Sequence, residues 1–154
     1  MIQLPLRALL LPALAAAVAV SAPATSAESA PAAQQRLAGD AIEVSLQKLM
    51  SIEWEPGDDI PEDVSVYDGQ RVEVSGFMRN GTTEGQTWFD LTNDSCGCGT
   101  GKVQHFVRVS IENGTTSFSP AELTLVGTFE VSEKEDEDGF VESLYRLKIE
   151  TLVL

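Results

Sequence analysis

The residues best equipped for chemistry sit in one polar, glycine-rich stretch, Thr92-Asn93-Asp94-Ser95-Cys96-Gly97-Cys98-Gly99-Thr100-Gly101-Lys102, followed closely by the only histidine, His105. Three kinds of chemistry fit these residue types. Two thiolates separated by one glycine can grip a single ion, and the imidazole of His105 can add a third ligand. Soft sulfur donors favour copper(I) or zinc, with Asp94 or Met78 as candidates to complete the shell. Alternatively, the same pair can oxidise in an exported protein. The Cys96–Cys98 ring is small and strained, which eases reduction, and Lys102 and His105 could lower a thiol pKa. The third reading is a static loop staple, with His105 a hydrogen-bonded histidine near the core.

No other catalytic template is present. The chain lacks Gly-x-Ser-x-Gly, and Gly97 to Val103 has neither the spacing nor the hydroxyl of a phosphate loop. The acidic pairs Asp58-Asp59 and Glu62-Asp63 read as solvated surface rather than a general acid–base pair. Glu135-Asp136-Glu137-Asp138-Gly139 lacks the ligand spacing of a calcium loop and reads as a charged hairpin tip. Asn80-Gly-Thr82, Asn93-Asp-Ser95 and Asn113-Gly-Thr115 match glycosylation acceptors, but Asn-Gly is also ordinary turn chemistry, and the turn reading is taken. An enzyme with its own substrate pocket is therefore the least supported option.

The elements that must position the loop follow from the rest of the chain. Arg7, an apolar run from Ala8 to Val20 and the small residues Ser21 to Ala27 have the order of a secretory signal, cleaved after Ala24 or Ala27. The run is too short and alanine-rich for a stable membrane anchor. The expected location is periplasmic or secreted, where two nearby thiols tend to oxidise. Residues 28–39 read as a flexible linker. Residues 40–66 read as a helix and an acidic loop packed on the body. The helix, at 40–51, is capped by Asp40 with Glu43 in a capping box, and presents Ile42, Leu46, Leu49 and Met50 on one face. The loop, at 55–66, is pinned by Trp54 and Ile60.

From Tyr67 the apolar period changes to two. Val72, Val74, Gly76 and Met78 share one face of a first strand. Thr87 to Leu91 form a second, and Val103, His105, Val107, Val109 and Ile111 line a third. Leu123, Leu125, Gly127, Phe129 and Val131 line a fourth, and Tyr145, Leu147, Ile149 and Val153 a last. The expected core holds Val72, Val74, Met78, Phe89, Leu91, Val107, Val109, Leu125, Phe129, Leu147 and Ile149. Gly76 and Gly127 interrupt strands where a bend or bulge would need them. Five strands over residues 67–154 predict a mainly β protein, a small five-stranded OB-like barrel with a short N-terminal helix. An immunoglobulin-type sandwich fits less well because it wants about seven strands.

Barrels of this kind bind single strands through basic residues and stacked aromatics. Phe77, Trp88 and Phe106 could form such a stacking surface, but the formal charge is -14, and loss of the leader removes Arg7 and no acid. That balance repels phosphate, so no nucleic acid partner is expected. The sequence thus describes an exported, non-enzymatic binding module, with copper or zinc held by Cys96, Cys98 and His105, and an unidentified protein or small molecule as ligand. The alternative is a structural or protein-interaction module stapled by a Cys96–Cys98 disulfide, or a thiol–disulfide redox protein.

The run Tyr67-Asp-Gly-Gln-Arg-Val-Glu-Val-Ser-Gly-Phe-Met78 resembles the opening strand of an uncharacterised family of exported bacterial proteins with OB-like domains and a cysteine-bearing loop. The family pattern is Gly-Lys-x-Val-x-Ile-x-Gly-Phe-Met, then a strand, the cysteine loop and an apolar strand. Gln70 stands where a lysine is common, and one residue rather than two separates Cys96 from Cys98. Gly127-Thr-Phe129 and the terminal strand with Tyr145 are also similar, so the resemblance covers about residues 52–154. It implies a fold and a compartment and carries no activity.

Overall fold

The computed structural model describes residues 40–96 and 101–154. The expected leader, the linker and Cys98 lie outside them. Among the described residues are strands β1 (Ile42–Val44), β2 (Arg71–Met78), β3 (Trp88–Thr92), β4 (Val107–Ile111), β5 (Glu122–Glu135) and β6 (Val141–Ile149), with helices α1 (Leu46–Met50) and α2 (Glu62–Ser65). The protein is mainly β, and its centre is a closed five-stranded barrel. Around the barrel the order is β2-β3-β4-β6-β5 and back to β2. Neighbours are antiparallel except β4 and β6, which run parallel with Val107 opposite Tyr145 and Ile111 opposite Ile149.

Alternation along each strand fills the barrel. The whole expected core set is buried, with Val72, Leu91, Val107, Val109, Phe129 and Leu147 fully so. Phe129 and Tyr145 stack at its centre with ring centroids 5.9 Å apart. Burying each large apolar side chain stabilises the fold by about 1.5–3 kcal/mol. Burial also raises the Tyr145 pKa, and its hydroxyl donates to Leu49 O at 3.2 Å, which ties α1 to the barrel floor.

The two in-strand glycines serve close approach. A Cβ on Gly127 would collide with the carbonyl oxygen of Lys148 on β6. A Cβ on Gly76 would lie 2.5 Å from Leu46 Cδ1 and 2.7 Å from Thr92 O. The irregularity in the β5–β6 ladder falls elsewhere, between Val131 and Lys134 and again before Glu135.

Several elements differ from the sequence expectation. The N-terminal helix is a single short turn, and the residues expected to open it form β1, parallel to β2 with Ile42 opposite Val72. The reason lies in β2, which pairs with β3 only at Phe77 and Met78 and leaves its first half with an open edge. Covering that edge satisfies backbone groups that a longer helix would leave unpaired. Ile42 is consequently 45% exposed, while Leu46 and Leu49 are buried. The acidic loop contains α2, which buries Val64, and Trp54 is buried as expected, its Nε1 donating to Asp58 O. The third strand starts at Val107 because Val103–His105 form one 3-10 turn. That turn buries Gln104, whose Nε2 donates to Trp54 O at 3.1 Å. At the C-terminal end β6 stops at Ile149, and Val153 is 51% exposed rather than part of the core.

Candidate functional site

The cysteine loop springs from the end of β3. Thr92 is buried there, with Oγ1 2.9 Å from Asp94 O and 3.2 Å from Phe77 O. Asn80 Nδ2, in the β2–β3 turn, donates to Ser95 O at 3.2 Å. Cys96 is exposed, and its Sγ lies 3.0 Å from Asp94 Oδ1. His105 is half-buried on the 3-10 turn at the far stem of the loop. Met78 is buried in the barrel, with Sδ 3.4 Å from the Ser119 backbone nitrogen, so it is engaged away from a fourth-ligand role. Among the described residues, no group of three or more His, Cys, Asp or Glu is placed to hold a metal ion.

A second site lies on the outer face of β3 and β4. Asp90 and Arg108 stand directly opposite each other across these strands. Asp90 is almost fully buried and both its oxygens are used: Oδ1 accepts from Arg108 Nε at 3.0 Å and Oδ2 from Arg79 Nη1 at 3.4 Å. Arg108 also donates through Nη1 to Glu142 Oε2 at 3.0 Å, and Lys134 pairs with the other Glu142 oxygen at 2.6 Å. The hydrogen bond from Lys134, together with Arg108 and against the cost of burial, holds the Glu142 carboxyl below its ordinary range. A general acid needs the opposite shift, so this network is built to stay charged.

The same guanidinium lies 4.5 Å from the centre of the Trp88 ring and 5.7 Å from that of Phe106. Cross-strand geometry explains the Trp88 contact, because side chains diagonal on one face of a ladder come within reach of an aromatic ring, while Phe106 lies two residues before Arg108 on the same segment. Of the three aromatics expected to offer a stacking surface, Trp88 is 41% exposed, Phe77 is half-buried and Phe106 is only 6% exposed. Trp88 therefore carries the accessible ring. Beside it, between β3 and the β2–β3 turn, is a depression of about 330 Å3 lined by Arg79, Asn80, Thr82, Gln86, Trp88 and Asp90, among others. That volume is at the lower end for small-molecule sites, about 300–1,000 Å3. Its lining is rich in planar amide and guanidinium groups beside one aromatic ring, a set that can hydrogen-bond a polar ligand while packing its apolar face.

Asp90, Arg108, Glu142 and Arg79 are absent from the sequence expectation. Arg79, Asp90 and Arg108 occupy outward positions at the end of β2, on β3 and on β4, and strand register decides that they meet. The available signal was a carboxylate between Phe89 and Leu91, two core residues.

No family model and no curated protein matches the chain. Among solved structures, the crystal structure of a DUF3299 family protein from Pseudomonas aeruginosa PAO1 is similar, at 16% identity and a TM-score of 0.45, covering 71% of this chain and 93% of that one. Among the described residues no helix is long and apolar enough to cross a membrane.

Proposed function

We propose that the protein is an exported, non-enzymatic binding module with an OB-type barrel that holds an uncharged, polar ligand against Trp88 on the outer face of β3 and β4. The observation that carries this reading is the Trp88–Arg108–Asp90 cluster with its adjoining polar depression. OB barrels are five-stranded, and they bind oligonucleotides or oligosaccharides on the face of their second and third strands and the neighbouring loops. Here β3 and β4 are the second and third strands of the barrel, and its single parallel contact, β4 with β6, supports the same assignment. The charge of -14 disfavours oligonucleotides, and the cations on this face are already committed to carboxylates. A polyhydroxylated ligand meets neither obstacle.

The test is titration with a panel of neutral hexose and N-acetylhexosamine oligomers, followed by tryptophan fluorescence. Trp54 is buried and Trp88 is not, so acrylamide quenching reports on Trp88. Saturable protection from the quencher, weakened in Gln86→Ala, whose side chain lines the depression beside Trp88, is the expected result. Salt-sensitive binding of a single-stranded oligonucleotide with no response to any sugar would refute it.

The loop is assigned a supporting role: Cys96 bonded to Cys98, the only other cysteine of the chain, stapling the loop beside β3. The alternative is a soft-metal site, which needs both cysteines as thiolates. Intact mass of protein from its native compartment separates these. A two-proton deficit restored by reductant supports the staple, whereas a metal adduct lost on denaturation supports Cys96, Cys98 and His105 as ligands. Cell fractionation with N-terminal sequencing tests export, with Thr25 or Glu28 expected as the first residue.

A further inference from the structure

We propose that the opposite side of the barrel, the outer face of β2 and β5, is a docking groove for an extended peptide segment of a partner protein that alternates lysine or arginine with small apolar residues. The groove is open, has a volume of about 880 Å3, and runs between this face and the tail that follows β6. It is separate from the Trp88 site, so its failure would leave that reading untouched.

The groove has an apolar centre in an acidic rim. Val126 is half-buried on the outer side of β5, and Val153 on the tail is 51% exposed. Around them stand Glu73 on β2, Glu112 beyond β4, Glu122 at the start of β5 and Glu150 just past β6. None of these four carboxylates is in an ion pair among the described residues. Two cations also line the groove, Arg71 at the start of β2 and Lys148 on β6, the latter paired with Glu130 at the groove's edge, so carboxylates still outnumber cations there. By contrast, Asp90, Glu130 and Glu142 on the barrel wall each bind two cations. Like charges gathered in one groove repel one another, and a cationic partner relieves that repulsion.

The register sets the form of the partner. Glu73 lies directly opposite Val126 on the neighbouring strand, and Glu122 lies two outward positions before Val126 on β5. In an extended chain, side chains at alternate positions point the same way at strand spacing. A segment that seats an apolar residue on Val126 places the next alternate side chain over Thr124, from where a long lysine or arginine can reach Glu122, while Glu73 stands beside Val126 on β2. Along Glu122–Gly127 one edge of β5 is paired with β2, and β6 reaches the other edge only at Thr128, so a bound extended segment can add backbone pairing to its side-chain contacts. A second copy of the chain would press the same four carboxylates against each other, and nucleic acid or an anionic membrane would be repelled.

The probe is a synthetic peptide repeating Lys-Ser-Val-Ser-Lys, titrated into the intact protein at low and high salt. Two variants of equal charge change separate docking from general attraction to an acidic chain. One is Glu73→Lys with Glu122→Lys in the groove, and the other is Glu135→Lys with Glu137→Lys at the exposed β5–β6 tip. Saturable, salt-weakened binding that falls at least about tenfold in the groove variant and much less in the tip variant is expected. The milder pair Glu73→Gln with Glu122→Gln should preserve that ordering if the lysine variant misfolds. Equal losses in groove and tip variants, absence of saturable binding at low salt, or burial of the groove in a dimer detected by sedimentation would each overturn the proposal.

Discussion

The two outer faces of this barrel use charge in opposite ways. On the β3–β4 face, Arg79, Arg108 and Lys134 are matched against Asp90 and Glu142, and the Arg108 guanidinium is pressed toward Trp88. In the groove over β2 and β5 the carboxylates of Glu73, Glu112, Glu122 and Glu150 stand outside any ion pair among the described residues, beside Arg71 and the Lys148–Glu130 pair. A closed network fixes side chains in place and gives a shaped platform of low net charge, suited to a polar ligand. Unmatched like charges have little positional precision but attract an oppositely charged partner from a distance. Satisfied charge thus marks where shape selects, and unsatisfied charge where electrostatics selects.

The comparison breaks most completely through the core that both faces share. Phe129 is fully buried against Tyr145, on a strand paired with both β2 and β6. Phe129→Ala should cost about 3–5 kcal/mol in chemical denaturation and disturb both faces together. A loss below about 1 kcal/mol would show that the barrel centre packs otherwise.

The next effect separates the faces. Arg108→Ala removes the central donor from nearly buried Asp90 and should cost about 1–3 kcal/mol, with Arg79 left as partial compensation. It should also change the Trp88 emission, since the guanidinium leaves the ring. A stability change as small as that of an ordinary surface substitution would remove the argument for a preorganised platform.

Acid should act on the paired carboxylates. The hydrogen bond from Lys148, with further help from Arg146 and against the cost of burial, holds the Glu130 carboxyl below its ordinary range, and Glu142 is lowered mainly by Lys134. Depressed folded-state values mean that this stabilisation is complete above the ordinary glutamate value of about 4.3 and is lost as pH falls through the lower folded values. Denaturation midpoints in wild type should therefore drop in that window. Glu130→Gln with Glu142→Gln should flatten the dependence there, and an unchanged slope would contradict it. Both carboxylates are partly exposed, so salt should shrink the effect.

The smallest effect belongs to the unmatched face. Glu112→Ala is exposed and outside the described ion pairs, so it should change stability by no more than about 0.5 kcal/mol and should raise it if groove repulsion matters. A clear destabilisation in thermal melts would reveal a structural role for that carboxylate.

The barrel core was readable in the sequence because alternation is a local property: Val72, Val74 and Met78, or Val107 and Val109, declare one face without knowledge of their partners. The β1 segment was not, because Ile42 and Val44 become a strand only through the unpaired half of β2, far along the chain. Helical spacing at Leu46, Leu49 and Met50 predicts a helix over 40–51, of which the structure holds only the short turn Leu46–Met50. The period continued by Val103 and Val107 predicts a strand position for His105, while the buried amide of Gln104 and its bond to Trp54 O favour a turn. The Trp88–Arg108–Asp90 cluster depends on register across β3 and β4, which no single strand encodes. Only the aromatic in it, Trp88, was singled out beforehand.

The most direct measurement of the central claim is amide chemical-shift mapping of the intact protein with both probes in turn. A binding neutral oligosaccharide from the panel should move the resonances of Trp88, Asp90, Arg108 and the β2–β3 turn, leaving Val126 and Glu73 in place. The Lys-Ser-Val-Ser-Lys peptide should do the reverse, and the two ligands should bind together without competition. Shifts from the sugar centred on the β2–β5 groove, or competition between the two probes, would contradict a barrel with one face for shape and another for charge.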